Sequence, residues 1–260
     1  VHTLQFNGAT IVYHDVGAAH GGAAPLLLLH GFTGTARLHL GALIDAMSAR
    51  RRVIAPDLRG YGASRPPARD FPADFYQRDA ADMCALLDAL NLKDVHIAGF
   101  SDGGESALLM AAMRPDLARS VFAWGVCGVI VPEMMQSVER WLPVSTWEQT
   151  RAAWRDEIIE HQGAEQFQPM IEGWVGAARA ISAAGGNIAR DSAAQIRCPA
   201  LVANGDGEVG NPLYAAQALA ERIPHGALRI VENSGHAIHE DQPEVFTQLL
   251  SDFLAQHDGR

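Results

Sequence analysis

Apolar residues follow two rhythms along this chain. Short continuous runs occur at Leu26–Leu29, Arg52–Ala55, Val95–Ala98, Ser120–Trp124, Leu201–Ala203 and Leu228–Val231. Runs of this length, bounded by turn residues, fit strands buried on both faces of a parallel sheet. Between them the spacing becomes helical. A helix is expected over Ala36–Ser48, and a second over Phe75–Leu90 with Met83, Leu86, Leu87 and Leu90 on one stripe. Glu105–Met113 is apolar nearly all round, as a central buried helix would be. Leu213, Ala216, Leu219, Ala220 and Ile223 stripe a further helix. Val245, Phe246, Leu249, Leu250, Phe253 and Leu254 stripe the last. At the start, Leu4–Phe6 and Ala9–Val16 flank Asn7-Gly8, a hairpin signature. Ala18–Ala24 reads as a small, Gly-rich loop. Strand and helix thus alternate, which predicts an α/β fold: a mostly parallel central sheet flanked by helices on both faces.

One stretch breaks the alternation. From Gly128 to Asp191 no strand pattern appears. Trp147, Trp154 and Ile158 share one helical face. Phe167, Met170, Ile171, Trp174, Ala178 and Ile181 share another. Four tryptophans, Trp141, Trp147, Trp154 and Trp174, fall here out of five in the chain, so this segment has a packing role of its own. It is read as an inserted helical cap, 128–191, on a core domain made of 1–127 and 192–260.

Composition narrows the function classes. The formal net charge of −10 argues against nucleic-acid or anionic-membrane surfaces and suits neutral or cationic substrates. The three cysteines, Cys84, Cys127 and Cys198, are scattered and lack metal-site or redox spacing. They read as buried free thiols in a reducing compartment. No signal-like segment precedes Phe6 and no run approaches a membrane span. A cytoplasmic enzyme is therefore expected. Nothing here bears on oligomeric state.

The chemistry centres on Gly99-Phe100-Ser101-Asp102-Gly103-Gly104. This is G-x-S-x-G between an expected strand and an expected helix, the context that gives the motif meaning. The turn projects the Ser101 hydroxyl at the N-terminus of the following helix, where backbone N–H groups point outward. A serine nucleophile needs a base, and the base needs an acid to orient it. The best base is His236, in a loop at the C-terminal edge of the strands, where open α/β sheets place their sites. His239 is the neighbouring competitor, read as a supporting or surface residue at the start of the last helix. The acid comes from the loop after Leu201–Ala203, where Asp206 and Glu208 both remain candidates. Oxyanion donors are expected from the backbone N–H groups of Asp102 and of Phe32, in the His30-Gly31-Phe32 turn. His30 itself is read as holding that loop by hydrogen bonds.

Taken together, His30-Gly31-Phe32, the Pro56–Ser64 loop, Gly99–Gly104, Gly205–Pro212 and Gly235-His236 resemble the α/β-hydrolase family across most of the chain. The closer resemblance is to its valacyclovir-hydrolase-like (biphenyl-hydrolase-like) serine esterases. It rests on Gly-Phe-Ser-Asp-Gly-Gly at 99–104, Trp124-Gly125, the Trp-bearing cap, and Gly186-Asn187-Ile188 leading to Arg197–Leu201. Family members often carry Gly-x-x-Asp-x-x-x-Pro at the acid loop. That pattern, laid on Gly205–Pro212, puts the acid at Glu208, with Asp206 as the alternative. Glu in place of Asp is a departure, and it adds a methylene of reach.

The resemblance implies hydrolysis of small carboxylic esters, α-amino-acid esters included, through an acyl-enzyme and without metal or organic cofactor. It also implies that Asp102 holds a substrate amino group. A carboxylate beside a developing oxyanion repels it, and a cationic substrate would offset that cost. The competing reading of Asp102 is an acidic residue favoured by the helix dipole. Trp124 and the tryptophans of the cap, Trp141, Trp147, Trp154 and Trp174, with Met134, Met135 and Met170, are the candidates for walling a substrate pocket. Lactonase, C–C bond hydrolase and cofactor-free perhydrolase chemistry use the same triad and stay open, as does a non-catalytic ligand-binding role. A dehalogenase is disfavoured, since that chemistry needs a carboxylate where Ser101 stands.

Overall fold

The six short apolar runs are strands in the computed structural model, which describes residues 1–18 and 22–259. Residues 19–21 of the expected Ala18–Ala24 loop lie outside the described residues. The hairpin comprises β1 (His2–Phe6) and β2 (Ala9–Val16), and it turns at Asn7 and Gly8 with φ of 52° and 71°. Positive φ at both central positions suits the right-handed twist of the flanking strands.

Then come β3 (Leu26–Leu29), α1 (Ala36–Ser48), β4 (Val53–Pro56), α2 (Phe75–Ala89) and β5 (Val95–Phe100). After β5 follow α3 (Asp102–Met113) and β6 (Ala118–Trp124). The chain later re-enters the sheet as β7 (Ala200–Gly205) and β8 (Gly226–Val231). The eight strands lie in the order β1-β2-β4-β3-β5-β6-β7-β8. β1, β2 and β4 pair antiparallel, and β4 through β8 run parallel.

Period-2 alternation sorts the strand residues into two cores. Leu26, Leu28, Ala98, Phe122 and Trp124 pack beneath α1 and the last helix. Leu27, Leu29, Ile97, Val121 and Val202 pack beneath α2 and α3. Both faces are apolar because both are covered, which is why the strands read as unbroken apolar runs. α1 starts at Thr35, whose hydroxyl accepts the Leu38 N–H at 3.1 Å.

Between β6 and β7 the described chain contains no named strand. It forms α4 (Pro132–Val138), α5 (Trp147–Thr150), α6 (Ala152–Gln162) and α7 (Ala164–Ala183). An isolated antiparallel bridge, Val129 to Asn187, closes the neck of this excursion. Here the sequence reading needs one correction. Trp147 does not share a helix with Trp154 and Ile158, because the chain turns out of helical geometry at Arg151 (φ −148°, ψ 37°). The two rings still meet, with centroids 4.8 Å apart, across the break between α5 and α6.

Two glutamines tie this excursion to the loops that follow β3 and β4. Gln162 is fully buried. Its amide oxygen accepts the Gly62 N–H at 2.8 Å, and its nitrogen donates to the Thr33 and Gly34 carbonyls at 2.8 and 3.0 Å. Gln166 accepts the Arg69 N–H at 2.8 Å. The last part of the chain is α8 (Leu213–Arg222), the short α9 (Ile238–Asp241) and α10 (Pro243–Asp258). His239 therefore sits in α9, before the last helix.

Candidate active site

The strand-to-helix turn after β5 places Ser101 at φ 54°, ψ −119°, a backbone state costing a non-glycine residue roughly 1–3 kcal/mol. Two glycines make the turn possible. A Cβ on Gly99 would lie 2.2 Å from the Gly103 carbonyl oxygen, and one on Gly103 2.5 Å from the carbonyl oxygens of Leu29 and His30. The strained turn lifts the Ser101 hydroxyl out of the sheet edge, with α3 beginning at the next residue.

His236 arrives from the loop after β8. Its Nε2 lies 3.0 Å from Ser101 Oγ, and its Nδ1 lies 2.6 Å from Glu208 Oε2. The carboxylate is acceptor-only, so Nδ1 carries the proton and Nε2 is left to accept the serine proton. The other Glu208 oxygen accepts the N–H groups of Gly210 and Asn211 at 2.7 and 3.1 Å. Burial alone would raise the Glu208 carboxyl. The His236 ring and those two amides outweigh it and hold the group below its ordinary value. Asp206 is placed otherwise: it is exposed, and its carboxylate accepts the Ser234 N–H at 3.3 Å.

The Asp102 and Phe32 amides donate to no protein acceptor among the described residues. Both belong to residues that line the cavity with Ser101. The Phe32 turn is held from both sides. His30, fully buried, accepts the Leu58 N–H at Nε2 (2.9 Å) and donates from Nδ1 to the Gly31 carbonyl (2.8 Å). Burial holds its imidazole below the ordinary pKa, so it is neutral. The Phe32 ring stacks on Trp141, centroids 5.7 Å apart and 6° from parallel.

These groups open on a cavity of about 540 Å³, within the range that takes a small molecule. Of the expected wall residues, Trp154, Trp174 and Met134 line it. Trp124 and Trp147 do not. Both are fully buried, Trp124 donating to His239 Nδ1 at 3.0 Å and Trp147 to the Trp141 carbonyl at 2.6 Å. Met135 and Met170 also lie off the cavity, whereas Trp141 lines it as expected. An apolar stripe marks a buried face, but it does not distinguish a face against side chains from one against an empty pocket.

The cavity is acidic. Asp102, Glu105, Glu157, Glu208 and Glu240 line it, and neither lysine nor arginine does among the described residues. The Asp102 carboxylate accepts the Tyr76 hydroxyl and the Trp174 Nε1–H, each at 2.9 Å. Burial raises its pKa to about 6 against the pull of these two donors. Glu105 was passed over as part of an apolar helix. It is buried, and burial pushes it up to about 7, opposed by the Gly128 and Cys127 amides and reinforced by the Asp102 charge.

The Glu105 shift has a stability consequence. A carboxyl whose folded-state pKa is raised above its unfolded value stabilises the fold fully below the unfolded pKa. That contribution is lost as pH rises through the folded value. Here the window runs from 4.5 to about 7. Glu105→Gln, which does not titrate, should match the parent near pH 4.5 and exceed it above pH 7 by on the order of 2–3 kcal/mol. Urea midpoints at pH 5 and pH 8 check this, and a constant difference between the two would refute it.

Comparison with known proteins follows the same lines. A family model described as the alpha/beta hydrolase family matches residues 26–249. The chain belongs to that family. Human serine hydrolase BPHL is 32% identical over 253 residues, covering 96% of this chain and 85% of that protein. A putative carbamate hydrolase, RutD, from Azorhizobium caulinodans is 29% identical over 266 residues, covering 96% and 97%. Among solved structures, a thermophilic esterase from Thermogutta terrifontis superposes with a TM-score of 0.74 at 23% identity, covering 98% of this chain and 97% of that one. That likeness is one of fold. This α/β hydrolase thus shares family membership with serine hydrolases, as the motifs implied. Among the described residues no helix is long and apolar enough to cross a membrane.

Proposed function

We propose that the protein is a serine hydrolase of small carboxylic esters, with α-amino-acid esters as its preferred class. Ser101 Oγ attacks the ester carbonyl while His236 Nε2 takes its proton, and Glu208 holds the imidazolium that forms. The developing oxyanion is received by the Phe32 and Asp102 N–H groups. His236 then returns the proton to the leaving alcohol. Water, activated by the same histidine, splits the acyl-enzyme to the acid and restores Ser101. The relatives include a serine hydrolase of near-complete coverage, which supports this reading. Three unpaired thiols, two of them buried, suit a reducing, cytoplasmic setting.

The observation that carries the substrate class is the cavity's charge. Five carboxylate residues and, among the described residues, neither lysine nor arginine surround a site whose reaction itself develops negative charge. Such a lining opposes a neutral or anionic substrate and favours one that brings a cation. Asp102 is best placed to receive it, because its own amide is an oxyanion donor. A cation on the carbon next to the ester carbonyl then falls within reach of its carboxylate.

Matched esters with and without an α-amino group test this on the parent and on Asp102→Asn. The parent should prefer the amino ester, and the variant should lose roughly 10- to 100-fold of that preference, the worth of one charge-assisted hydrogen bond. A parent that cleaves both alike would make this a general esterase. Cleavage of neither would move the search to lactones and C–C bonds.

A further inference from the structure

Among the described residues, those other than glycine with positive φ are Asn7, Thr33, Asn91, Asp94, Ser101 and Asn233. Asparagine and aspartate visit this region readily, because their short side chains bond locally. That leaves two exceptions: Ser101, the nucleophile, and Thr33, the residue after the Phe32 oxyanion donor. Thr33 is the harder case. Its φ is 64°, where a β-branched side chain is an outlier. It is the third residue of a turn closed by the Gly34 N–H on the Gly31 carbonyl at 3.2 Å. A turn with positive φ at that position ordinarily takes glycine or asparagine. Strain of this kind persists only where the surroundings hold it in place.

The restraint comes from the helical excursion. Thr33 is 2% exposed, and Gln162, the last residue of α6, is 0% exposed. Gln162 Nε2 donates to the Thr33 and Gly34 carbonyls at 2.8 and 3.0 Å, gripping the peptide groups on either side of Gly34. The Gly62 N–H on Gln162 Oε1 fixes the other end of the same amide. One turn of chain earlier in α6, Trp154 Nε1 donates to Thr33 Oγ1 at 3.2 Å. Backbone and side chain of Thr33 are thus both held by one helix. Relaxing Thr33 to negative φ requires compensating rotation at Phe32, whose N–H is the oxyanion donor. A displacement of about 1 Å there is enough to cost on the order of 100-fold in rate.

We propose that α6 completes the oxyanion hole from outside it. Gln162, assisted by Trp154, is a positioning residue that acts on catalysis through Thr33 and the Phe32 amide. The proposal rests on the acyl-enzyme reading with Phe32 as an oxyanion donor, and it is independent of the charge on the substrate. It makes the excursion a part of transition-state stabilisation as well as a wall of the cavity.

The test is Gln162→Met, which keeps an unbranched side chain and removes the amide. On p-nitrophenyl acetate kcat should fall about 10- to 100-fold, short of the loss of a whole oxyanion donor, with KM within about twofold of the parent. Inhibition by 1,1,1-trifluoro-4-phenylbutan-2-one should weaken by the same factor as kcat, since its hemiketal oxyanion uses the same two N–H groups. Adding Thr33→Gly to Gln162→Met should restore most of the lost kcat, because glycine holds φ 64° without help. A loss that appears in KM alone, or one that Thr33→Gly does not recover, would make Gln162 an anchor of the excursion only and overturn the proposal.

Thr33→Val and Thr33→Gly in the parent decide the matter should Gln162→Met fail to fold. Valine keeps the branched side chain and drops the bond to Trp154, so kcat should fall about tenfold. Glycine takes the angle freely and should keep kcat within about threefold of the parent. Valine as active as glycine would refute the strained-turn argument. If the parent neither cleaves p-nitrophenyl acetate nor forms the hemiketal, the serine-hydrolase reading falls and this proposal with it. If the parent does both and every variant matches it, only the Gln162 assignment falls.

Discussion

Ser101→Ala is expected to lower kcat on any ester substrate by on the order of 10⁶-fold, leaving only the rate that binding and the oxyanion donors supply. The argument is one of connectivity. The hydrogen-bonded chain runs from Glu208 Oε2 through His236 to Ser101 Oγ, with links of 2.6 and 3.0 Å. Removing the hydroxyl deletes the atom that would bond to the acyl carbon, and no partial substitute exists. Alanine inherits the same positive φ and gains no new clash, so the melting temperature should stay within about 1 °C. Labelling by a fluorophosphonate should vanish with the activity. A variant that still labels or still turns over would place the nucleophile elsewhere.

The largest effect on stability is expected at Asp79→Ala. Asp79 and Arg69 form a two-bond ion pair at 2.8 and 2.7 Å, with side chains 1% and 0% exposed. The Arg69 guanidinium also lies over the rings of Phe71 and Tyr61, 4.6 and 4.7 Å from their centroids. Truncating Asp79 strands a buried cation that has no route to water. Such losses cost about 3–5 kcal/mol, although an ion pair of this kind contributes little over a well-packed apolar pair. For a chain of this size that corresponds to a fall in melting temperature of about 6–20 °C. The paired replacement Arg69→Met with Asp79→Leu should recover most of the loss. If the double variant is no better than Asp79→Ala, the stranded-charge explanation is wrong.

Much of this architecture is legible before any coordinates, for reasons that differ by element. Leu26–Leu29 could be read because a strand covered on both faces has no polar phase to confuse it. Asn7-Gly8 could be read because few other pairs accept two positive φ angles. The Ser101 turn announces itself through glycines whose absence of a Cβ is a steric necessity. Glu208, two residues past Asp206, is placed toward His236 by loop geometry that local chemistry alone does not decide.

The helical excursion was legible only as helices. The break at Arg151 has no glycine or proline to mark it, and Thr150 beside it is a weak signal on its own. Gln162 and Gln166 look like ordinary solvent-facing positions. Their partners near Gly62 and Arg69 lie about a hundred residues away, beyond any local pattern. Glu105 was hidden in a different way. A single acid in an apolar helix looks like an exposed edge, whereas it is enclosed by the start of the excursion at Cys127 and Gly128.

The insertion of those helices between β6 and β7 also sets a timetable for synthesis. Ser101 and His236 are 135 residues apart. At roughly 5–20 residues per second, a translating ribosome leaves the serine without its imidazole for on the order of 7–27 s. For part of that interval β6 waits for β7, its partner along Val121–Trp124. A nascent chain in this state carries an inert nucleophile beside an open apolar strand edge. It cannot yet cleave an ester, and its unpaired edge is free to pair with another chain.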